Sequence, residues 1–416
     1  MFIRTWAKRN VAAISCGLTL LPILTAWGCN VTVFENDLPR RLDGVLRAPS
    51  RVGRNAGLDA LRAFTTLLVV FHHCAITYGA IGGWYYHEIA PARTVESICL
   101  VLFCTINQAF FMGLFFLLAG YYTRPSLEAK GSARFLADRF ARLGLPLLFY
   151  GWILGPSTIA LVRTHDGATF GPAFKALILG TFDSGPMWFA QALLIFTLLL
   201  TGFLMLRRRM NQRAPSRIFA FPTNATLAGA ALLTGGAALL LRMRWPVGVN
   251  VSGLQLGYFA SYVVLFVAGF LAANERMLES LPRRETRLWW CIALLTVPIL
   301  PIAYFLPWLP PSMHRGILQV IYALWEPFVA WGVILFLLQR FQTAFLQLTG
   351  FGQRLARRAY TIYIVHPPVL VGVALLWSHA HVNPLIKFAV TGSLSCVACY
   401  WIAGIVLAIP GVKRVL

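Results

Sequence analysis

Along most of the chain, apolar residues run in blocks of about twenty, separated by short polar segments. A helix of ~20 residues rises about 30 Å, which matches the hydrocarbon core of a bilayer. The blocks predict ten core membrane helices, at residues 58–80, 98–122, 143–163, 186–206, 223–243, 254–273, 288–309, 316–338, 359–377 and 385–408. The expected fold class is all-α: a polytopic membrane helix bundle. A single membrane domain is expected over 55–416, after an N-terminal extension, 1–54.

Composition agrees with the pattern. Of the 416 residues, 58% are hydrophobic and 12% are charged. Soluble domains carry about 25% charged residues. The net charge of +22 would suit nucleic acid, yet the basic residues cluster between apolar blocks, as they do when they orient a membrane protein. No nucleic-acid partner is expected. With 1–57 placed inside, the inner side holds 28 Lys and Arg and the outer side 7, Arg62 being the last of 36. Both ends of the ten-helix core are therefore expected to be cytoplasmic.

One apolar stretch stands outside the core set. Residues 11–29, VAAISCGLTLLPILTAWGC, follow a basic start and resemble a signal sequence. Arg40, Arg41, Arg47, Arg51 and Arg54 follow and prefer the inside. A shallow interfacial element or a peripheral extension is expected there, rather than an eleventh span. Cys396 and Cys399 form a CxxC within an apolar block and read as packing residues. No metal site is expected.

Ionisable residues inside the apolar blocks are the candidates for chemistry. The stretch 57–79, GLDALRAFTTLLVVFHHCAITYG, places Arg62 and His73 eleven residues apart. On a helix that step turns about 1100°, ~20° past three full turns, and climbs ~16 Å. Both side chains thus share one stripe, Arg62 near the inner surface and His73 deep. An imidazole titrates near ~6.5 when unperturbed and can act as a general base. The plainer role is an interhelical hydrogen bond. His72 lies ~80° off the Arg62 direction and faces another neighbour. Asp59 precedes Arg62 by three residues, so the two either form a helix-end ion pair or Asp59 orients Arg62 toward an anion.

Four further positions carry signals. In RFLADRFARLGLP, 134–146, Arg139 and Arg142 are i and i+3 with Arg134 upstream. Forked guanidinium donors suit phosphate, although arginines here also fix topology. Glu326 is the only carboxylate well inside the predicted hydrocarbon and needs a His or Arg partner or a polar cavity. In AYTIYIVHPPVLV, 359–371, Tyr360, Tyr363 and His366 share one polar stripe, and Pro367 with Pro368 should break the helix. Asp183, in TFDSGPMWF, marks a turn on the outer side that could dip toward the core.

In this order the segments LDALRAFTTLLVVFHH (58–73), FFLLAGYYTRPS (115–126), FLADRFARLGLP (135–146), GPMWFAQALL (185–194), WEPFVAWGVILFLL (325–338) and AYTIYIVHPPVLV (359–371) resemble the acyltransferase 3 family of integral membrane acyltransferases. The family signature, an Arg followed by ten residues and a His, falls on Arg62 and His73. Its paired inner arginines fall on Arg139 and Arg142. Many members have Leu at the position of Met187, often with a His before it; this chain has Pro186 in that preceding place.

The resemblance implies transfer of an acyl group, usually acetyl or succinyl, from cytoplasmic acyl-CoA. Acetyl-CoA or succinyl-CoA would be a co-substrate, with no permanently bound cofactor. The acceptor would be a hydroxyl of an envelope polysaccharide, a glucan or a lipid-linked sugar, as in O-acetylation. The bilayer would be a bacterial inner membrane. His73 and Arg62 would be catalytic, and Arg134, Arg139 and Arg142 would hold the CoA phosphates. The alternative from a different class is a proton-coupled transporter or flippase, which ten spans and buried ionisable groups would also suit.

Overall fold

The computed structural model describes residues 55–180, 182–210, 220–305 and 311–416. Ten helices occupy the ten predicted positions: α1 (Ala56–Thr77), α2 (Val95–Lys130), α3 (Ser132–His165), α4 (Gly185–Arg209), α5 (Asn224–Arg244), α6 (Leu256–Ala272), α7 (Arg283–Phe305), α8 (Met313–Ala344), α9 (Gly350–Leu376) and α10 (Pro384–Ala408). Among the described residues, nine of them are long and apolar enough to cross a membrane, and α6 is a shorter apolar helix. No strand forms among the described residues. The chain is an all-α polytopic bundle. The apolar segment 11–29 lies outside the described residues.

Local chemistry sets the helix ends. The Asn55 side chain accepts the Leu58 N–H at 2.9 Å and caps α1, with Asp59 in its first turn. Thr94 caps α2 in the same way, through Ser97 N–H. At 36 residues, α2 would be about 54 Å long, well beyond the ~30 Å core. The excess carries Arg124 and Lys130 to the arginine-rich end. Helix α3 contains two π-helical turns, Phe140–Gly144 and Tyr150–Leu154. Wide turns of this kind recur at functional positions, and the first holds Arg142.

Small residues bring helices close where lipid supplies no hydrophobic drive. A Cβ on Gly120 of α2 would lie 2.0 Å from the Phe266 carbonyl oxygen, and one on Gly269 of α6 would lie 1.9 Å from that of Leu117. Only glycines permit that approach. The core beside it is aromatic, with Phe116 stacked on Tyr262 at 4.9 Å. Large side chains such as Leu199, Leu240, Leu295, Trp401 and Ile405 point outward, as a lipid-facing surface requires.

One expectation needs correction. Pro367 and Pro368 do not break α9, which runs continuously from Gly350 to Leu376. The tight packing of α9 against α1, α3 and α10 holds it together where the two N–H donors are lost. Pro327 is likewise accommodated inside the helix that contains Glu326.

Candidate functional site

The site grows from a missing hydrogen bond. In an α-helix the carbonyl of residue 363 would accept the N–H of residue 367. Residue 367 is proline and has none. The freed Tyr363 carbonyl instead faces Nδ1 of His366, at 2.7 Å. A carbonyl can only accept, so Nδ1 of His366 carries the proton and Nε2 offers a lone pair. That Nε2 lies 3.2 Å from Nδ1 of His73, on α1. Nδ1 of His73 also faces the Val69 carbonyl at 3.0 Å. Both of its neighbours are acceptors, so it carries a proton and shares it between them. The lone pair of His73 is thereby placed on Nε2. Among the described residues no hydrogen bond occupies His73 Nε2.

Trp84 covers the pair. Its ring stacks on His73 at 4.1 Å and 22°, and lies parallel to His366 at 5.9 Å and 6°. The indole Nε1 is buried with no hydrogen-bond partner among the described residues. Trp84 belongs to the segment 78–94 joining α1 to α2, which is tied down at both ends. The N–H groups of Glu88 and Ile89 donate to the Thr77 carbonyl at 2.9 and 3.1 Å. Ser97 Oγ donates to Gly79 O at 2.6 Å and accepts from Ala92 N–H at 3.0 Å. Lys387 of α10 pairs with Glu88 and also donates to the Ser378 carbonyl at 3.2 Å.

A second group of polar atoms lies beside the histidines. The Tyr363 hydroxyl donates to the Pro186 carbonyl. Tyr85 and Tyr150 share a hydrogen bond of 3.0 Å between their hydroxyls. Burial pushes the Tyr85 phenol well above its ordinary value, so it is neutral at physiological pH. Asp183 accepts the Gly185 N–H at 3.0 Å, the local turn its sequence announces. Gly185 has a φ of +44° and backs onto Tyr85, whose hydroxyl would lie 2.0 Å from a Cβ. The turn therefore delivers Pro186 to Tyr363, while the Asp183 side chain remains exposed.

The other predicted residues fall elsewhere. His72 meets the His73 ring edge-on at 5.6 Å but shares no hydrogen bond with it, and its own ring lies against Phe111 at 4.8 Å. Arg62 binds Asp59 at 3.1 Å and approaches the Ala356 carbonyl at 3.4 Å; the structure does not bring it to the histidine pair. Arg139 donates to Thr123 at 3.2 Å and lies over the Phe135 ring at 5.1 Å. The carbonyl of Arg142, in the first π-turn, accepts the Tyr360 hydroxyl at 2.9 Å, while its side chain and that of Arg134 are exposed. Glu326 pairs with Arg242 rather than with a histidine. Arg242 lies over the rings of Tyr322 and Tyr258, at 4.7 and 5.2 Å, and is 7% exposed. Arg242 is one of the seven cations that the charge count assigns to the outer side, and it is buried at the outer end of α5. Trp84, Tyr85, Tyr150 and the Lys387–Glu88 pair carried no periodic signal. The run of three aromatics in GGWYYHE was the one cue.

Among the described residues no group of three or more His, Cys, Asp or Glu side chains is placed to hold a metal ion. A scan against family models matches an acyltransferase domain, the acyltransferase 3 model, over residues 55–404. No curated protein matches. No solved structure matches. The match spans nine of the ten helices, most of α10 and every residue of the histidine site, so the chain belongs to the acyltransferase 3 family, as an integral multi-pass membrane protein.

Proposed function

We propose that this protein is a membrane acyltransferase that moves an acetyl or succinyl group from cytoplasmic acyl-CoA to a hydroxyl of an envelope carbohydrate or lipid-linked sugar. The observation that carries the reading is the contact of His366 Nε2 with His73 Nδ1. It supports a lone pair held at His73 Nε2, the form a general base requires.

The acceptor O–H gives its proton to His73 Nε2 while its oxygen attacks the thioester carbonyl. The tetrahedral intermediate expels the thiolate, which takes the proton back from His73. The products are an ester and free CoA thiol. As His73 becomes imidazolium, His366 Nε2 receives a stronger hydrogen bond and stabilises the charge. Proton transfer of this kind contributes typically ~10²–10⁴-fold. The Trp84 Nε1–H is the candidate donor to the developing oxyanion.

Arg134, Arg139 and Arg142 would bind the CoA phosphates at the arginine-rich end. Arg62 marks the path between that end and His73, ~16 Å along α1, a span suited to the pantetheine arm. A bacterial inner membrane, with the arginine-rich end cytoplasmic, completes the arrangement. The test is mass analysis of envelope glycans from cells carrying the wild-type chain or His73→Gln. Acylated glycans are expected only with the wild type; the same acylation with both would refute the reading.

A further inference from the structure

A cavity of about 610 Å³ lies apart from the histidine pair, at the ends of α2, α5, α7 and α8 nearest the 78–94 segment. That size falls within the ~300–1,000 Å³ of small-molecule sites. Val101 and Leu102 of α2, Leu300 of α7 and Leu318 of α8 form its walls. Its rim includes Ile81, Tyr304 and Phe305, large apolar side chains that are also exposed. An exposed apolar rim faces lipid more readily than water.

Two cations and no acidic residue are among the lining side chains, Arg93 and Arg242. Arg93 is exposed and has no hydrogen bond or ion pair among the described residues. Arg242 uses Nη2 on Glu326 and Nε on the Gly257 carbonyl, at 3.0 Å for the latter. Its Nη1 is buried with no partner among the described residues. A buried guanidinium N–H without an acceptor is expensive. An anionic oxygen reaching it from the cavity would satisfy it with a charge-assisted bond.

We propose that this cavity binds one anionic membrane phospholipid, with a chain between α2, α7 and α8 and its phosphate held by Arg93 and Arg242. The site does not depend on the acyl-transfer reading. Because the 78–94 segment supplies both Ile81 and Arg93 to the cavity and Trp84 to the histidines, a bound lipid would brace the loop from behind.

The test is native mass spectrometry of the full-length protein released from mixed micelles. Phosphatidylglycerol and phosphatidylcholine of identical chains are offered, with glycerol phosphate as the free head group. One retained phosphatidylglycerol per protein is expected, with Arg93→Gln and the cavity-filling Leu102→Trp each lowering retention about tenfold, the factor that ~1.4 kcal/mol carries. Equal retention of phosphatidylcholine would overturn the anionic part, and equal competition by glycerol phosphate the lipid part. Unchanged retention in both variants would overturn the site. Arg93 is exposed, so its variant tests the proposal even where Leu102→Trp fails to fold.

Discussion

His366 Nε2 lies 3.2 Å from His73 Nδ1 across the interface of α9 and α1, 293 residues away in sequence. The contact exists because Pro367 leaves the Tyr363 carbonyl for His366 Nδ1. The proline thus acts on chemistry two side chains away, by fixing which nitrogen holds which proton.

His366→Phe removes the acceptor that orients His73. A hydrogen bond to a group that becomes charged is worth ~1.5–3 kcal/mol, so kcat for acyl transfer should fall about 10- to 100-fold. The KM for acyl-CoA should hold within a factor of two or so, since the contact strengthens only as His73 becomes charged in the transition state. Steady-state kinetics on reconstituted protein would check this; a rise in KM with kcat unchanged would assign His366 to binding.

Pro367→Ala should move stability and activity in opposite directions. The restored N–H at residue 367 would return to the Tyr363 carbonyl and compete with His366 Nδ1. The helix gains a bond that an interior proline forfeits, by up to ~3 kcal/mol. Thermal unfolding in detergent should therefore occur at an equal or higher temperature while acyl transfer falls. A variant with full activity would remove the tautomer argument.

Lys387→Met should lower the unfolding temperature, because it leaves the largely buried Glu88 carboxylate, 11% exposed, without its cation. Breaking a fully buried pair from one side costs about 3–5 kcal/mol, and this part-buried pair should lose less. The double variant Lys387→Met with Glu88→Gln should recover much of the loss. If the single and double variants melt alike, the pair does not anchor the 78–94 segment.

Arg139→Gln and Arg142→Gln should raise the KM for acyl-CoA with kcat little changed, as loss of uniform binding does. The Arg139 guanidinium is half-buried between Thr123 and Phe135, so its variant should also weaken packing. Titration with CoA itself would separate the two effects; unaltered CoA affinity in both variants would place the phosphates elsewhere.

The helices were legible because membrane helices announce themselves by length and apolar content alone. All ten predicted positions hold helices, and the run at 254–273 forms the shorter Leu256–Ala272. His73, His366 and Glu326 were legible as ionisable residues in apolar runs, since each buried polar group demands an explanation. Their partners were not. Helical periodicity fixes neighbours three or four residues apart, but says nothing of which helix lies opposite. His73 meets His366, Glu326 meets Arg242, and Glu88 meets Lys387 only through tertiary packing. Trp84 sits in a connecting segment without periodicity, so its place over the histidines could be seen only in three dimensions. Pro367 reads as a helix breaker because its lost hydrogen bond is visible in the sequence, whereas the packing that holds α9 together is not.

The most direct measurement is thiol release from acetyl-CoA by reconstituted protein supplied with an acceptor glycan, comparing His73→Gln with His72→Gln. His72 packs on Phe111 and meets the His73 ring only edge-on, at 5.6 Å, so it controls for loss of a buried imidazole beside the site. The expected result is that His73→Gln lowers acceptor-dependent thiol release by at least ~10²-fold while His72→Gln keeps most of it. Comparable release by His73→Gln and the wild type would contradict His73 as the general base.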